Sequence, residues 1–384
     1  MSKQFDVCIR GGGVVGHTLA LLLARERLRV ALVVKSPLPG TDQTAPSNDV
    51  RAYALNSASR QLLDDLRAWP LAPAITPVLE MQVWGGSASP LNFTAKNAQP
   101  NVQPSEQQNA LAWIVDVPAL ELQLGQAVRF QPQIEVVPTP VEAALQVICE
   151  GQKSSSRNEF GASWTVKPYA QNAVAARLVS DKPHAGVARQ WFKNGEVLAL
   201  LPLSGPDGNA VALVWSVSAQ RAAMLQTLAD DEFCAALQTD CGPIAGQLRL
   251  SSARASWPLA LANADRWVGP GWALAGDAAH TVHPLAGQGL NLGLADVSAL
   301  ASVIAQREYW RGLGDEKLLR RYERARKADV AAMGAVTDGL HNLFARPDAR
   351  WQAVRQWGLQ RFAQNGPLKA WVVRQATGQH TSAS

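Results

Sequence analysis

Cysteine is scarce in this 384-residue sequence: Cys8, Cys149, Cys234 and Cys241 are its four, and no two form a CxxC pair. That excludes a disulfide scaffold and, with no histidine at ligand spacing beside them, a structural metal site. The thiols are expected to be reduced and mostly buried. Long apolar runs are missing too: none approaches the roughly 18 residues of a membrane-spanning helix. No cleavable leader precedes the first apolar strand, so the expected location is cytoplasmic. Internal repeats and low-complexity tracts are absent. Charged residues make up only 17% while hydrophobic residues reach 47%, which excludes a disordered chain and fits a well-packed one of two lobes.

The net charge of +5 is unevenly placed. Residues 307–374 hold an excess of basic residues, and the remainder is slightly acidic. The basic segment has two readings, solvated helix faces or a surface for acidic lipid or an acidic protein. A nucleic-acid partner is not expected.

Apolar periodicity predicts a strand over 5–9, a glycine turn over 11–16, a helix over 16–27 and a strand over 29–34, a β-turn-α-β opening. The spacing next predicts a helix over 50–66, with Leu55, Leu62, Leu63 and Leu66 on one side. A loop over 97–109, a short helix over 120–127 and a strand over 143–149 follow. Short apolar runs over 173–179, 187–193, 196–201 and 210–217 predict an inserted antiparallel sheet, with Lys193-Asn194-Gly195 as a hairpin turn. A helix over 219–238, strands over 247–257 and 272–275, and helices over 289–306, 316–344 and 348–376 complete the chain.

Three segments carry chemistry. In Gly11-Gly12-Gly13-Val14-Val15-Gly16, glycines sit between a strand and a helix, the context of a dinucleotide fingerprint. Gly11 permits the turn, Gly13 lets backbone approach a pyrophosphate, and Gly16 lets helix pack on strand, while free N–H groups at the helix start receive the negative charge. A purely structural glycine turn is the alternative. The carboxylate that usually ends the second strand and holds ribose hydroxyls is missing, because Val34 and Lys35 stand there. The second segment, Gly276-Asp277-Ala278-Ala279-His280, delivers a carboxylate to a sugar-type hydroxyl, or Asp277 merely caps a turn. The third, from His283 through Pro284, Gly287, Gln288, Gly289, Leu290 and Asn291 to Gly293, is a glycine-rich loop opening a helix. Its amide donors and positive helix end suit negative charge on a flat ring.

Together these segments resemble the FAD-dependent aromatic hydroxylases, and the stretch 283–296 resembles more narrowly the ubiquinone-biosynthesis hydroxylases. Arg51-Ala52-Tyr53-Ala54-Leu55, Leu111 to Val115, Leu200 to Leu203, Tyr322-Glu323-Arg324 and the stretch 339–344 extend the likeness over nearly the whole chain. The resemblance implies an α/β fold: a Rossmann-like FAD-binding domain (1–165 and 258–310), an inserted antiparallel β-sheet substrate domain (166–257) and C-terminal helices (311–384). It implies FAD as cofactor, held by Gly11, Gly13, Val15, Gly16, Arg51, Gly276, Asp277, Pro284, Gly287, Gln288, Gly289, Leu290 and Asn291. NAD(P)H is the implied electron donor and O₂ the oxidant. Tyr169, Gln190 and Leu203 fall on the sheet over the substrate cavity.

The sequence departs from that family at Arg10, at Glu150 in place of the aspartate of a second FAD motif (Glu150-Gly151 … Ser154 … Arg157), and at Val34. The expected activity is hydroxylation of an aromatic ring, most directly a polyprenylphenol of ubiquinone biosynthesis. A non-catalytic scaffold of the quinone pathway, or a hydroxylase of another aromatic or lipid, are the alternatives. No catalytic acid or base is assigned; His283 serves either substrate, flavin or structure. Trp351, Trp357, Phe362 and Trp371 among Arg350, Arg355, Arg361 and Arg374 suit peripheral membrane docking, and suit a core equally.

Overall fold

The computed structural model describes residues 5–34, 49–85, 89–94, 110–282 and 288–345, with side chains of the last helix described through Gly334. Two sheets dominate, and a third, small one joins them. The first is six-stranded, in the order Val268–Gly269, Trp272–Leu274, Ala143–Ile148, Phe5–Arg10, Val30–Val33, Ile134–Val137. Its pairings are parallel except for the Val268–Gly269 edge. Parallel strands are covered on both faces, which is why Val30–Val33 is buried at every position. One face carries the main core with helices Val14–Arg25, Val117–Arg129 and Gly289–Ala305, and the other a smaller cluster around Cys8, Ala31 and Val33.

The second sheet has nine strands and is mostly antiparallel. Its hairpin at Asn194-Gly195 has φ of 52° and 80°, the doubly left-handed turn that an Asn-Gly pair adopts most easily. Alternation divides its faces. Leu198, Leu200, Leu213 and Trp215 pack under helices Ala219–Thr227 and Asp230–Cys241, while Leu203 and Ala212 pack toward the third sheet of Ala52–Leu55, Ala112–Asp116 and Ile75–Val78. The large sheet is wider than 166–257, because Glu80–Trp84 and Leu91–Thr94 extend one edge and Ala255–Ala264 carries it on.

Several elements differ from expectation for identifiable reasons. Residues 52–55 form a strand rather than the start of a helix, since they pair with Ala112–Asp116. The helix begins only at Ser57, where the Asn56 side chain accepts from Ser59 N at 2.8 Å. The expected helix over 219–238 is two helices. Leu228 turns extended (ψ 150°), and three acidic residues, Asp230, Asp231 and Glu232, open the second at its positive end. The expected strand over 247–257 is likewise two, Leu248–Leu250 and Ala255–Ala264, both paired with one long strand, Trp164–Ser180. That strand starts well before residue 173, and an irregularity between Pro168 and Asn172 masks its period. The first helix starts at Val14, two residues before Gly16. The expected helix over 348–376 and loop over 97–109 lie outside the described residues.

Candidate functional site

At the glycine turn, the three spaced glycines do different work. Gly11 has φ +125°, and a Cβ there would lie 2.4 Å from Cys149 O. A Cβ on Gly16 would lie 1.9 Å from Gly11 O, so strand and helix touch through backbone. Around Gly13 there is nothing within 4 Å. It caps the helix without any side-chain bond, and the first helical N–H groups have no intrahelical acceptor. Open space beside unsatisfied donors at a helix start is an anion site in waiting. Val15 faces the protein: a Cβ on Gly276 would meet its Cγ2 at 3.2 Å, and one on Gly293 at 2.9 Å. This single side chain thus brings all three motif segments into contact.

The Gly276–His280 turn joins the two large sheets, since Trp272–Leu274 belongs to the parallel one and His280–Thr281 to the other. Gly276 takes φ +63°, and every residue of the turn is buried except Asp277. Asp296 Oδ2 accepts from Gly276 N at 3.0 Å and from His280 Nε2 at 2.6 Å. A carboxylate only accepts, so Nε2 carries the proton. Arg157, itself buried, donates to Ala278 O at 3.1 Å and stacks 3.8 Å over Trp164. Asp277 is therefore presented outward by a turn clamped from behind. Desolvation by the surrounding protein raises its carboxyl pKa; His280 and Arg51 lower it and Asp296 raises it further.

Gln288, Gly289, Leu290 and Asn291 open the helix Gly289–Ala305, while Pro284, Gly287 and His283 lie outside the described residues. Around Gly289 there is nothing within 4 Å. The buried Asn291 amide is fully engaged: Oδ1 accepts from Asn56 N (3.0 Å) and Ser59 Oγ (2.7 Å), and Nδ2 donates to Ala54 O (2.8 Å). Gln288 Oε1 takes a further bond from Nδ2 at 3.3 Å. Asn291 thus locks this helix start to the Ala52–Leu55 strand, leaving main chain, not its side chain, to face a ligand.

Arg51 is 43% exposed and is gripped by Asp49, whose Oδ1 accepts from its Nε at 2.9 Å; Glu121 stands 4.0 Å away. The bond to Asp49 raises the guanidinium pKa still further. Its positive charge works against the burial that raises the pKa of both Tyr53 and Asp277.

The departures sit around the glycine turn and the loop that follows Cys149. Glu150 Oε2 accepts from Ser154 Oγ (2.8 Å) and Ser156 N (3.3 Å), capping its own loop. Arg10 reaches across to Gln146 (3.2 Å), Ser156 (3.3 Å) and Glu159. Val34 packs on Gly12, where a Cβ would come within 2.8 Å of its Cγ2. Lys35 lies outside the described residues. On the large sheet, Gln190 and Leu203 are buried on the face away from the two covering helices, and Tyr169 sits in the irregular stretch of the long strand.

Sequence reasoning passed over Asp296, Arg326 and Asp49. A signal for the first was present: Asp296 is the only charged residue of a mostly apolar helix, and a charge there demands partners.

The chain matches the FAD binding domain family over residues 127–337. It is 32% identical to "Ubiquinone hydroxylase UbiL" of Rhodospirillum rubrum, across 98% of this chain and 90% of that protein. It is 29% identical to the Escherichia coli "3-demethoxyubiquinol 3-hydroxylase", across 98% and 99% of the two chains. Among solved structures, p-nitrophenol 4-monooxygenase PnpA from Pseudomonas putida superposes with TM-score 0.75 at 16% identity, over 99% of this chain and 100% of that one. PqsL from Pseudomonas aeruginosa, a probable FAD-dependent monooxygenase, superposes with TM-score 0.73 at 19% identity, over 94% and 99%. At such identities the superpositions establish the fold.

Proposed function

This chain belongs to the FAD-dependent hydroxylases of ubiquinone biosynthesis, and from that membership we propose that it hydroxylates the ring of a prenylated phenol on the way to ubiquinone. Bound FAD supplies the redox chemistry that lets O₂ deliver one oxygen atom to an electron-rich ring. NAD(P)H is the proposed source of electrons. The residues of this chain do the rest.

The open backbone at Gly13, with the N–H groups of the Val14 helix start, receives the pyrophosphate. Asp277 accepts from a ribityl or ribose hydroxyl, with Arg51 nearby as a compensating positive charge. The start of the Gly289 helix, held in register by Asn291, offers amide dipoles to the electron-rich edge of the ring system. Gln190, Phe192, Leu201 and Val214 share the sheet face opposite the covering helices. An apolar face of this kind excludes water and orients the aromatic substrate, with Gln190 as its polar handle. The observation that carries this reading is Asp277, the single exposed residue on a buried turn that Val15 ties to both glycine-lipped helix starts.

Among the described residues no helix is long and apolar enough to cross a membrane. A prenylated substrate then calls for peripheral docking or hand-over by a quinone-pathway protein. The aromatic and arginine residues expected to dock, Trp351 to Arg374, lie outside the described residues. Flotation with anionic vesicles tests docking; the absence of salt-sensitive binding would remove it.

The decisive experiment for function pairs two measurements. The purified chain should retain a yellow flavin that bleaches with reduced nicotinamide. A strain lacking it should accumulate a quinone precursor short of one ring oxygen, and Asp277→Ala should not restore the pathway. A chain that cannot be loaded with FAD sinks the proposal, and a normal quinone profile sinks the substrate assignment.

A further inference from the structure

Asp296 is wholly buried in an apolar helix, yet it ranks among the most heavily bonded side chains of the described residues. Oδ2 takes two donors from opposite ends of the Gly276–His280 turn, the Gly276 amide and the His280 ring. Oδ1 takes Arg326 Nε at 2.8 Å. Arg326 is 4% exposed and comes from another element, the helix Glu316–Ala345. Its remaining nitrogens reach Asp329 (2.5 Å) and Leu292 O (3.5 Å). His280 is held in orientation by stacking on Trp267, centroids 4.8 Å apart. A buried carboxylate without compensation is strongly disfavoured; the Gly276 amide and His280 supply part of that compensation from the turn itself, and Arg326 adds a full positive charge from a different helix.

From this geometry we infer that Asp296 is the positioning residue for Asp277, and that Arg326 sets it from the C-terminal helix, so that cofactor binding and docking of that helix are one linked equilibrium. The inference rests on the reading of the turn as the FAD site. Asp296 touches no ligand-facing surface; it fixes both ends of the segment from which Asp277 projects, and Arg157 fixes the middle through Ala278 O. Linkage is reciprocal: whatever strengthens the Arg326–Asp296 pair strengthens cofactor binding, and bound cofactor must hold the helix more firmly.

The helix has a second anchor, which provides the control. Glu323 Oε1 accepts from Trp267 N at 2.8 Å and pairs with Lys327 at 2.8 Å, without touching Asp296. A merely structural role for Arg326 would make loss of either anchor equivalent.

The test is titration of the full-length apoprotein with FAD, read by quenching of flavin fluorescence, beside its thermal melt without FAD. Arg326→Gln should weaken FAD at least tenfold, Arg326→Lys should recover part of that loss, and Glu323→Ala should lower the melting temperature while leaving FAD affinity within about twofold. Equal weakening by Glu323→Ala and Arg326→Gln, or no weakening by Arg326→Gln, overturns the inference. If Arg326→Gln does not fold, amide exchange in the wild type decides. FAD should slow exchange over residues 318–330 at least tenfold, and unchanged exchange there overturns the coupling. A wild type that quenches no flavin removes the FAD site itself, a result distinct from both.

Discussion

The two ends of the proposed cofactor groove are built on opposite principles. At the flavin end, polar side chains are buried and used to hold backbone: Asn291 ties a helix start to a strand, and Asp296 ties a turn to a helix. At the adenosine end, Val34 contributes packing where a carboxylate is usual, Glu150 bonds within its own loop, and Arg10 ties the end of the first strand to that loop. The difference teaches that this chain invests its rigidity where a ring must be placed for chemistry, and leaves the far end of the groove to shape and the glycine turn.

The most severe way to disturb that contrast is at the hinge between the ends. Gly16→Ala forces a methyl into Gly11 O, which it would approach to 1.9 Å, and should cost about 4 kcal/mol in urea denaturation together with all FAD binding. Gly13→Ala meets nothing within 4 Å, so the apoprotein should melt as the wild type does while FAD affinity falls at least tenfold. Equal damage to the two apoproteins would refute the division of labour among these glycines.

Next in size is Asn291→Leu. It strands Asn56 N–H, Ser59 O–H and Ala54 C=O in the interior, for about 3 kcal/mol by the same measurement. A loss under about 1 kcal/mol would mean that the flavin end is no more tightly built than the adenosine end.

Val34→Glu runs in the opposite direction. Restoring a carboxylate at the end of the second strand should tighten FAD about tenfold, the worth of one charge-assisted hydrogen bond. No gain in affinity would show that this end is already satisfied.

The smallest effect is one of pH. His17 is buried, and desolvation lowers its pKa despite bonds to the Gly13 and Gly12 carbonyls. His184 is lowered by burial as well. Above about pH 6.5 each is neutral folded and unfolded; below it the unfolded chain takes up protons that the native state refuses, so stability falls with pH. His17→Gln should reduce that decline between pH 7.5 and 5.5 by about 1 kcal/mol, measured by melts in matched buffers. An unchanged slope would clear His17 of the effect.

Much of this was legible from residue order alone, where a local rule governs. Glycine spacing between apolar runs located the first turn, and Asn194-Gly195 located a hairpin. Local rules failed where a distant partner decides. Residues 52–55 look helical until Ala112–Asp116 pairs with them. The first half of Trp164–Ser180 carries Lys167, Pro168 and an irregular Tyr169, and its identity as a strand comes from Ala255–Ala264. Asp296 and Arg326 are 30 positions apart, and only the folded packing of two helices joins them.

One feature of the parallel sheet bears on how the protein is made. Trp272–Leu274 pairs with Ala143–Ile148, yet six strands of the nine-stranded sheet and its two covering helices separate them in the chain. A growing polypeptide reaches the ribosome exit with its nucleotide-binding half unfinished, and must complete the intervening lobe before the missing strand arrives. Asp277 emerges directly after that strand, and Asp296 and Arg326, which hold its turn, later still. A fragment released before Trp272–Leu274 lacks both the strand that completes the parallel sheet and the turn that presents Asp277.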